Sequence, residues 1–171
     1  MYRAITYGLL KNKIEFTDLD GVEAYLESVN LKFFKNDNVT KLLLNNSDIT
    51  ENIRSNSING NVSEVSAIKI VRDFMVKFQR EMSCDIDCVL EGRDIGTVVF
   101  PNADFKFFLD ADIKIRAERR TQELIHLNYK VIYQDILSEL KLRDERDINR
   151  PVGPLVKAKD AFFIDTGHKS E

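Results

Sequence analysis

EGRDIGTVVFPNADFKFFLDA, residues 91–111, decides the fold class of this 171-residue chain. A short apolar run, DCVLEG (87–92), leads into it and ends at Gly92, and a second run, DFKFFLDA (104–111), closes it. Runs of this length are typical of strands that are buried on both faces, as in a parallel sheet. A third run, AFFIDT (161–166), predicts a last buried strand.

Charged segments with helical periodicity separate these runs, namely IKIRAERRTQELIHL (113–127) and QDILSELKLRDERDINR (134–150). Strands that alternate with helices predict an α/β fold with a parallel sheet. Ligands of such sheets bind beyond the carboxyl ends of the strands. The polar sequences EGRD (91–94) and LDAD (109–112) fall at those ends.

The first half of the chain predicts helices and a hairpin. A helix is expected over 2–12, although its opening MYRAITYGLL lacks a capping side chain. Thr17 is expected to cap a second helix, and two alternating segments, 29–35 and 39–45, predict a half-exposed β-hairpin around Asn36-Asp37-Asn38.

Residues 47–82 return to helical patterning, with an interruption predicted at Asn59-Gly60. The stretch IKIVRDFMVKFQRE predicts a long amphipathic helix. Its inward residues are expected to be Ile68, Val71, Met75 and Phe78.

Composition narrows the class of protein. A hydrophobic content of 43% and a charged content of 31% are typical of one soluble domain, without an apolar run of membrane-spanning length or a signal peptide. The net charge of −3 argues against general binding of nucleic acid. Cys84 and Cys88 are expected to be reduced, partly buried thiols at the start of a strand, because a zinc site needs four ligands. The expected compartment is the cytoplasm.

Three clusters of charge could carry chemistry. Arg93 and Asp94 follow the first apolar run, where Arg93 could hold a phosphate in a bidentate fork, or the pair could only close a loop. Arg143, Asp147 and Arg150 are spaced to share one helix face, which could equally be a solvated face with weak ion pairs.

The third cluster consists of Arg116, Arg119 and Arg120, which fall within about one helical turn. Their mutual repulsion is tolerated most easily where an anion binds, although a solvated face is the simpler alternative. Together, several arginines at the strand ends suit a small ligand with multiple charges, such as the phosphates of a nucleotide. Phosphoryl transfer needs mainly positioning and positive charge from a protein.

The order EGRDIGTVVFPNADFKFFLDA, RAERR and RDERDINRPVGPLV resembles the bacterial cytidylate (CMP/dCMP) kinases over nearly the whole chain. The resemblance implies the α/β fold of the P-loop nucleoside monophosphate kinases, ATP-dependent transfer of phosphate to CMP or dCMP, and magnesium that arrives with ATP. It implies no protein-bound metal in this chain, no nucleic acid polymer, no membrane partner and a monomeric state. It also implies one domain over 1–171, with a CMP-binding insert region at about 28–82 and a lid region with its following helix at about 111–150.

Site residues are carried over from the same resemblance. The implied CMP-binding residues are Tyr2, Arg3, Ser63, Arg72, Arg93, Asp94, Arg143, Asp147 and Arg150. The implied catalytic residues are Arg93, Asp94, Arg116, Arg119 and Arg120, of which the last three belong to or flank the lid over ATP. Arg54 matches a further arginine near the CMP-binding region.

The chain departs from the family pattern in one respect that matters for activity. None of its seven glycines belongs to a G-x-x-x-x-G-K-[ST] loop, so the first strand and the P-loop of the family are expected to be missing, as is the final helix. Exposed strand edges then predict instability, self-association or a strand supplied by another chain. Two hypotheses follow: a CMP kinase that is inactive in this form, or a non-catalytic module that binds pyrimidine nucleotides and needs another chain for ATP.

Overall fold

The computed structural model describes residues 1–36 and 39–169. The Asp37-Asn38 part of the predicted turn lies outside the described residues. The chain divides into two compact units, Met1–Ile86 and the residues from Asp87 onward, and each is described by itself. The expectation of a single domain stays a prediction.

The first unit contains helices and a small antiparallel sheet. Its elements are α1 (Tyr2–Lys11), α2 (Leu19–Ser28), β1 (Leu31–Asn36), β2 (Val39–Leu44), β3 (Ser47–Asp48), a 3₁₀ turn (Asn52–Arg54), α3 (Asn56–Ala67) and α4 (Lys69–Met82). The predicted hairpin is confirmed, since β1 and β2 pair from Leu31 opposite Leu44 onward, and β3 adds a short third strand.

The first unit is built around an apolar core to which its helices and its sheet contribute. Ile5 and Leu9 of α1, Val22 of α2, and Val71 and Met75 of α4 are fully buried. The amphipathic pattern predicted for α4 is therefore confirmed, with Ile68 and Phe78 half-buried against the same core.

Two local predictions in the first unit are wrong. The cap of α2 is Asp18 rather than Thr17, because the Asp18 carboxylate accepts a hydrogen bond from the Gly21 amide at 3.0 Å. Helix α3 runs through Asn59-Gly60, since the burial of its apolar face outweighs the weak helix propensity of these two residues. The break comes instead at Ile68, whose extended backbone separates α3 from α4.

The second unit is a mixed α/β arrangement. Its elements are a π-helix (Ile95–Val99), β4 (Phe107–Asp110), α5 (Ile113–His126), α6 (Tyr133–Asn149) and β5 (Phe162–Asp165). Strands β4 and β5 pair in parallel, with Phe107 opposite Phe162. With its parallel strands, flanking helices and small antiparallel hairpin, the structure confirms the predicted α/β fold class of the P-loop nucleoside monophosphate kinases.

The predicted strand DCVLEG is wrong, because residues 87–91 have no regular structure and Val89 is fully exposed. A strand needs a neighbour to satisfy its backbone hydrogen bonds, and no strand in the described part of the chain pairs with this segment. For the same reason Cys84 and Cys88 are exposed rather than partly buried at the start of a strand.

The apolar strands β4 and β5 are also not buried on both faces, as the sequence predicted. Phe107, Leu109, Phe162 and Phe163 are all exposed, since β4 and β5 form a sheet of only two strands among the described residues. Apolar side chains on unpaired strand edges favour association with other surfaces. Self-association through these edges stays a prediction.

Candidate active site

The predicted site residues of the second unit include a group that the fold brings into contact. This charge cluster consists of Arg93, Asp94, Arg143, Asp147 and Arg150, which come from two segments that are distant in sequence, 93–94 and 143–150.

Three local structures position the charge cluster. Arg93 and Asp94 immediately precede the π-helix, and Asp94 is the residue that caps it. Arg143 and Asp147 lie one turn apart on α6, as their spacing predicted. Arg150 is not part of that helix face, because α6 ends at Asn149 and Arg150 has an extended backbone just before Pro151. The prediction that all three share one helix face is therefore wrong, although Arg150 still reaches Asp147.

Asp147 lies at the centre of the charge cluster. Its Oδ2 accepts a hydrogen bond from Arg93 Nε at 2.9 Å and lies 3.9 Å from Arg143 Nε. Its Oδ1 lies 3.8 Å from Arg150 Nη1. A buried carboxylate with three guanidinium neighbours is held in one orientation.

Asp94 and Arg150 form the second contact of the charge cluster. Asp94 Oδ1 lies 3.5 Å from Arg150 Nη2, and both side chains are buried. Arg150 also donates from Nε to the carbonyl of Gly153, which fixes the guanidinium from its other side. The Asp94 carboxylate is therefore held in a defined place by a buried cation.

The charge cluster can bind an anion. Its three guanidiniums against two carboxylates leave one net positive charge. The Arg93 side chain is 42% exposed and bonds Asp147 only through Nε. Within the described residues the two Nη groups of Arg93 donate no hydrogen bond, so both can donate to the oxygens of a phosphate.

The three arginines of α5 all have partners within the second unit. Arg116 forms a two-pronged ion pair with Asp144 of α6, at 2.7 and 3.2 Å, and donates from Nε to the Ala111 carbonyl at 3.0 Å. Arg119 donates from Nη2 to the carbonyls of Thr166 and Lys169, at 2.6 and 2.9 Å. The positive charges of these two side chains are therefore engaged with other elements.

Arg120 pairs with Glu123 on its own helix at 2.7 Å. The repulsion expected within the arginine cluster is thus relieved by protein groups. Sequence reasoning missed Asp144, whose hydrogen bonds raise the pKa of Arg116 above its ordinary value. The RDERD repeat of charges was the available signal, but it does not say which carboxylate meets which arginine.

In the first unit, Tyr2 and Arg72 are in contact. The guanidinium carbon of Arg72 lies 5.8 Å from the centre of the Tyr2 ring, a cation–π geometry. Arg72 is only 1% exposed and donates from Nη1 to the Ser66 carbonyl at 3.2 Å. These contacts hold the Arg72 guanidinium in place beside the Tyr2 ring.

Arg3 is held by α3. Its Nη1 donates to Asn59 Oδ1 at 2.5 Å and to the Ile53 carbonyl at 3.0 Å. Asn59 is a second residue that the sequence analysis missed, since it was interpreted only as a helix interruption. Ser63 is half-buried on α3, and Arg54 is exposed at the end of the 3₁₀ turn.

Residues 1–36 and 39–169 contain no group of three or more His, Cys, Asp or Glu side chains that could hold a metal ion. Over the same residues, no helix is long and apolar enough to cross a membrane.

Comparisons with known proteins show which proteins this chain resembles. The family model described as cytidylate kinase matches residues 1–171. A protein named cytidylate kinase from Clostridium botulinum is 42% identical over 168 residues, which cover 98% of this chain and 76% of the relative. A protein of the same name from Clostridium tetani is 44% identical, over 97% of this chain and 72% of the relative.

A third relative with this name, from Carboxydothermus hydrogenoformans, is 41% identical over 97% of this chain and 75% of its own length. The chain therefore belongs to the cytidylate kinase family, whose members are nucleotide phosphotransferases. The resemblance drawn from the GRDIGTVVFP sequence is confirmed.

Proposed function

We propose that this family member binds CMP or dCMP at a site that includes the charge cluster, for ATP-dependent transfer of phosphate that gives CDP or dCDP. One observation carries the proposal: Asp147 gathers three arginines, and Asp94 is held within 3.5 Å of one of them. This arrangement offers positive charge for a phosphate and a fixed carboxylate for a base.

Arg93 is the proposed ligand of the nucleotide phosphate, with Arg143 and Arg150 beside it. A phosphate that accepts from the Nη groups of Arg93 leaves the bond from Nε to Asp147 intact. Asp147 then keeps the guanidinium oriented while the substrate enters. Tyr2, Arg3, Ser63 and Arg72 remain proposed CMP-binding residues, as the resemblance implies.

Asp94 is the proposed determinant of the base. Cytosine carries an exocyclic amino group that can donate a hydrogen bond to a carboxylate, whereas uracil carries a carbonyl oxygen at the same position. Uracil would leave the buried Asp94 carboxylate facing an acceptor, which costs binding energy. The contact with Arg150 keeps this carboxylate in place.

Phosphoryl transfer also needs an ATP site, and the 171 residues contain no G-x-x-x-x-G-K-[ST] sequence. We therefore infer that this chain alone transfers phosphate slowly or not at all. Arg116, Arg119 and Arg120 are the proposed contacts to the transferring phosphate. Arg116 and Arg119 would exchange Asp144 and the 166–169 carbonyls for phosphate oxygens.

Magnesium is proposed to enter as the complex with ATP, where it supplies charge neutralisation on the phosphates. The reaction is proposed to take place in the cytoplasm, as the expectation of two reduced cysteines suggests.

Calorimetry with CMP and UMP tests the binding site. We expect micromolar binding of CMP and weaker binding of UMP. Asp94→Asn should reduce the preference for CMP over UMP by roughly tenfold or more, because the amide loses the charged acceptor. Asp104→Asn, a change at an exposed aspartate, is the matched control. Failure of the parent chain to bind CMP would overturn the proposal.

A non-catalytic module that binds pyrimidine nucleotides is the second candidate. The same sequence observation favours it, since the predicted CMP-site residues are present and the ATP-binding loop is not. Incubation with ATP, magnesium and CMP separates the two candidates. CDP formed at an enzymatic rate by this chain would exclude the module and contradict the inferred inactivity.

A further inference from the structure

Lys106 is a buried lysine at the start of β4 that the proposed function does not use. It is 8% exposed, and lysine is rarely buried to this extent without a partner. Its Nζ donates to Asp160 Oδ2 at 2.6 Å and to the Pro101 carbonyl at 2.5 Å. It thus joins the turn after the π-helix to the loop before β5.

The aliphatic part of Lys106 packs against the π-helix. A Cβ placed on Gly96 would lie 3.3 Å from Lys106 Cδ and 3.6 Å from its Cγ. The backbone of the π-helix therefore rests on the lysine side chain at Gly96. π-Helical turns are rare and are frequent at functional sites.

The π-helix in turn holds Asp94. The Asp94 carbonyl accepts hydrogen bonds from the amides of Val98 at 2.9 Å and Val99 at 3.2 Å. The position of the Asp94 backbone, and with it the carboxylate that faces Arg150, depends on where this turn lies. Lys106 fixes the turn from two sides, through Gly96 and through Pro101.

We propose that Lys106 is a positioning residue for nucleotide recognition, which sets the place of Asp94 by supporting the π-helix. This inference rests on the proposed function, because it concerns the carboxylate that is proposed to bind the pyrimidine base. The hydrogen bond from Lys106 also lowers the pKa of Asp160 below its ordinary value.

The test compares four variants with the parent chain. Lys106→Met keeps the aliphatic packing on Gly96 and removes the ammonium group, whereas Lys106→Arg keeps a charge. Asp160→Asn weakens the same contact from its exposed end and serves if Lys106→Met does not fold. Lys157→Met is the matched control, because Lys157 is exposed and bonds the Ala161 carbonyl of the same loop at 3.0 Å.

Two readouts are measured on each variant whose thermal unfolding shows a folded chain. The first is the position of the Asp94 and Gly96 amide resonances without nucleotide, and the second is CMP affinity by calorimetry. We expect Lys106→Met to shift the resonances and to reduce CMP affinity roughly tenfold, as expected when a binding group is displaced. Asp160→Asn should do both to a smaller extent, Lys106→Arg should restore part of the affinity, and Lys157→Met should change neither readout.

Unshifted resonances in Lys106→Met would overturn the inference, as would shifted resonances with CMP affinity within about twofold of the parent, too small for a displaced binding group. If Lys106→Met is unfolded, the same two outcomes in Asp160→Asn decide. If the parent chain itself does not bind CMP, the proposed function fails. The resonances alone then decide whether Lys106 sets the place of Asp94.

Discussion

Each of the two units is stabilised internally by a different kind of interaction. The first unit encloses an apolar core to which α1, α2, α4 and the small sheet contribute fully or nearly fully buried side chains. The second unit leaves Phe107, Leu109 and Phe162 exposed, and it joins α5 to α6 through the Arg116–Asp144 ion pair. Its charge cluster and Lys106 provide further polar contacts between distant segments.

The first unit depends for its stability on apolar packing, whereas charged side chains that stabilise the second unit also belong to the proposed binding site. Apolar packing is insensitive to ionic strength, whereas ion pairs near the surface weaken as salt is added. The first unit should therefore respond mainly to changes of side-chain volume, and the second unit mainly to changes of charge. Four predictions test this comparison, from the largest expected effect to the smallest.

The largest effect is expected in the core of the first unit. Leu9→Ala removes a side chain that is 0% exposed, and the resulting cavity should lower the free energy of unfolding by about 3 kcal/mol. Urea unfolding followed by circular dichroism, with hydrogen exchange of the α1 amides, measures this loss.

Leu19→Ala is the matched control, since Leu19 is 54% exposed in the same unit and should cost less than about 1 kcal/mol. Phe162→Ala makes the corresponding deletion in the second unit, where the side chain is 62% exposed. If Phe162→Ala lowered the free energy of unfolding as much as Leu9→Ala, the proposed difference between the two units would be contradicted.

Asp147→Asn should have the largest effect in the second unit. The change removes the charge that three arginines share and leaves the buried Arg150 with one acidic neighbour fewer, at a cost of about 2 kcal/mol in unfolding free energy. Thermal unfolding at low and high salt measures it. Glu145→Gln, on the exposed side of α6, should leave the unfolding midpoint unchanged. A midpoint for Asp147→Asn equal to that of Glu145→Gln would show that the charge cluster does not stabilise the unit.

A smaller effect is expected for Arg116→Met. The Arg116–Asp144 pair is partly exposed, so its loss should cost about 1 kcal/mol and should reduce the dependence of stability on salt. Hydrogen exchange of the α5 and α6 amides measures the cost. Arg120→Met, which removes a pair within α5 alone, is the control. Equal protection of α6 in the two variants would contradict the role of this pair in joining the helices.

The smallest effect concerns a charge in the first unit. Hydrogen bonds from the side chain and the backbone of Thr50, with Lys41 nearby, lower the pKa of Asp48 from 3.8 to about 2. The stabilisation that this implies is present above the ordinary pKa and is lost as the pH falls towards 2. Thr50→Val should raise the pKa of Asp48 towards 3.8, as measured by NMR titration. Ser47→Ala should leave it unchanged, and an unaltered pKa in Thr50→Val would show that the hydroxyl is not responsible.

Local periodicity was sufficient to predict the hairpin and most of the helices, although Ser47–Asp48 of the region predicted as helical forms β3. Helix α4 follows from the spacing of Val71 and Met75, because a repeated apolar face specifies both the element and its buried side. DCVLEG could not be placed in this way, since an apolar run forms a strand only where another strand pairs with it. Gly60 led to the prediction of a helix interruption that is absent, because tertiary packing outweighs the weak helix propensity of glycine.

Arg93 and Asp147 could be singled out from the sequence, because Arg93 follows an apolar run that predicted a strand and Asp147 repeats with Arg143 along a helix. The structure brings these two residues into contact across 54 positions, although Arg93 does not follow a strand. Asn59, Asp144 and Lys106 were missed because their partners lie 56, 28 and 54 positions away in sequence. Nothing in the neighbouring residues distinguishes a side chain that orients an arginine from one that is merely solvated.

The parallel pairing of β4 with β5 also bears on the order of folding. The Thr166 hydroxyl donates a hydrogen bond to the Asp110 carbonyl, 56 positions away in sequence. Strands β4 and β5 can therefore pair only when the segment between them, which contains α5 and α6, brings them together. Closing a loop of this length costs entropy before any strand contact forms, whereas β1 and β2 are close in sequence. Nascent α5 and α6 are therefore expected to form first, and the two strands to meet in a late step.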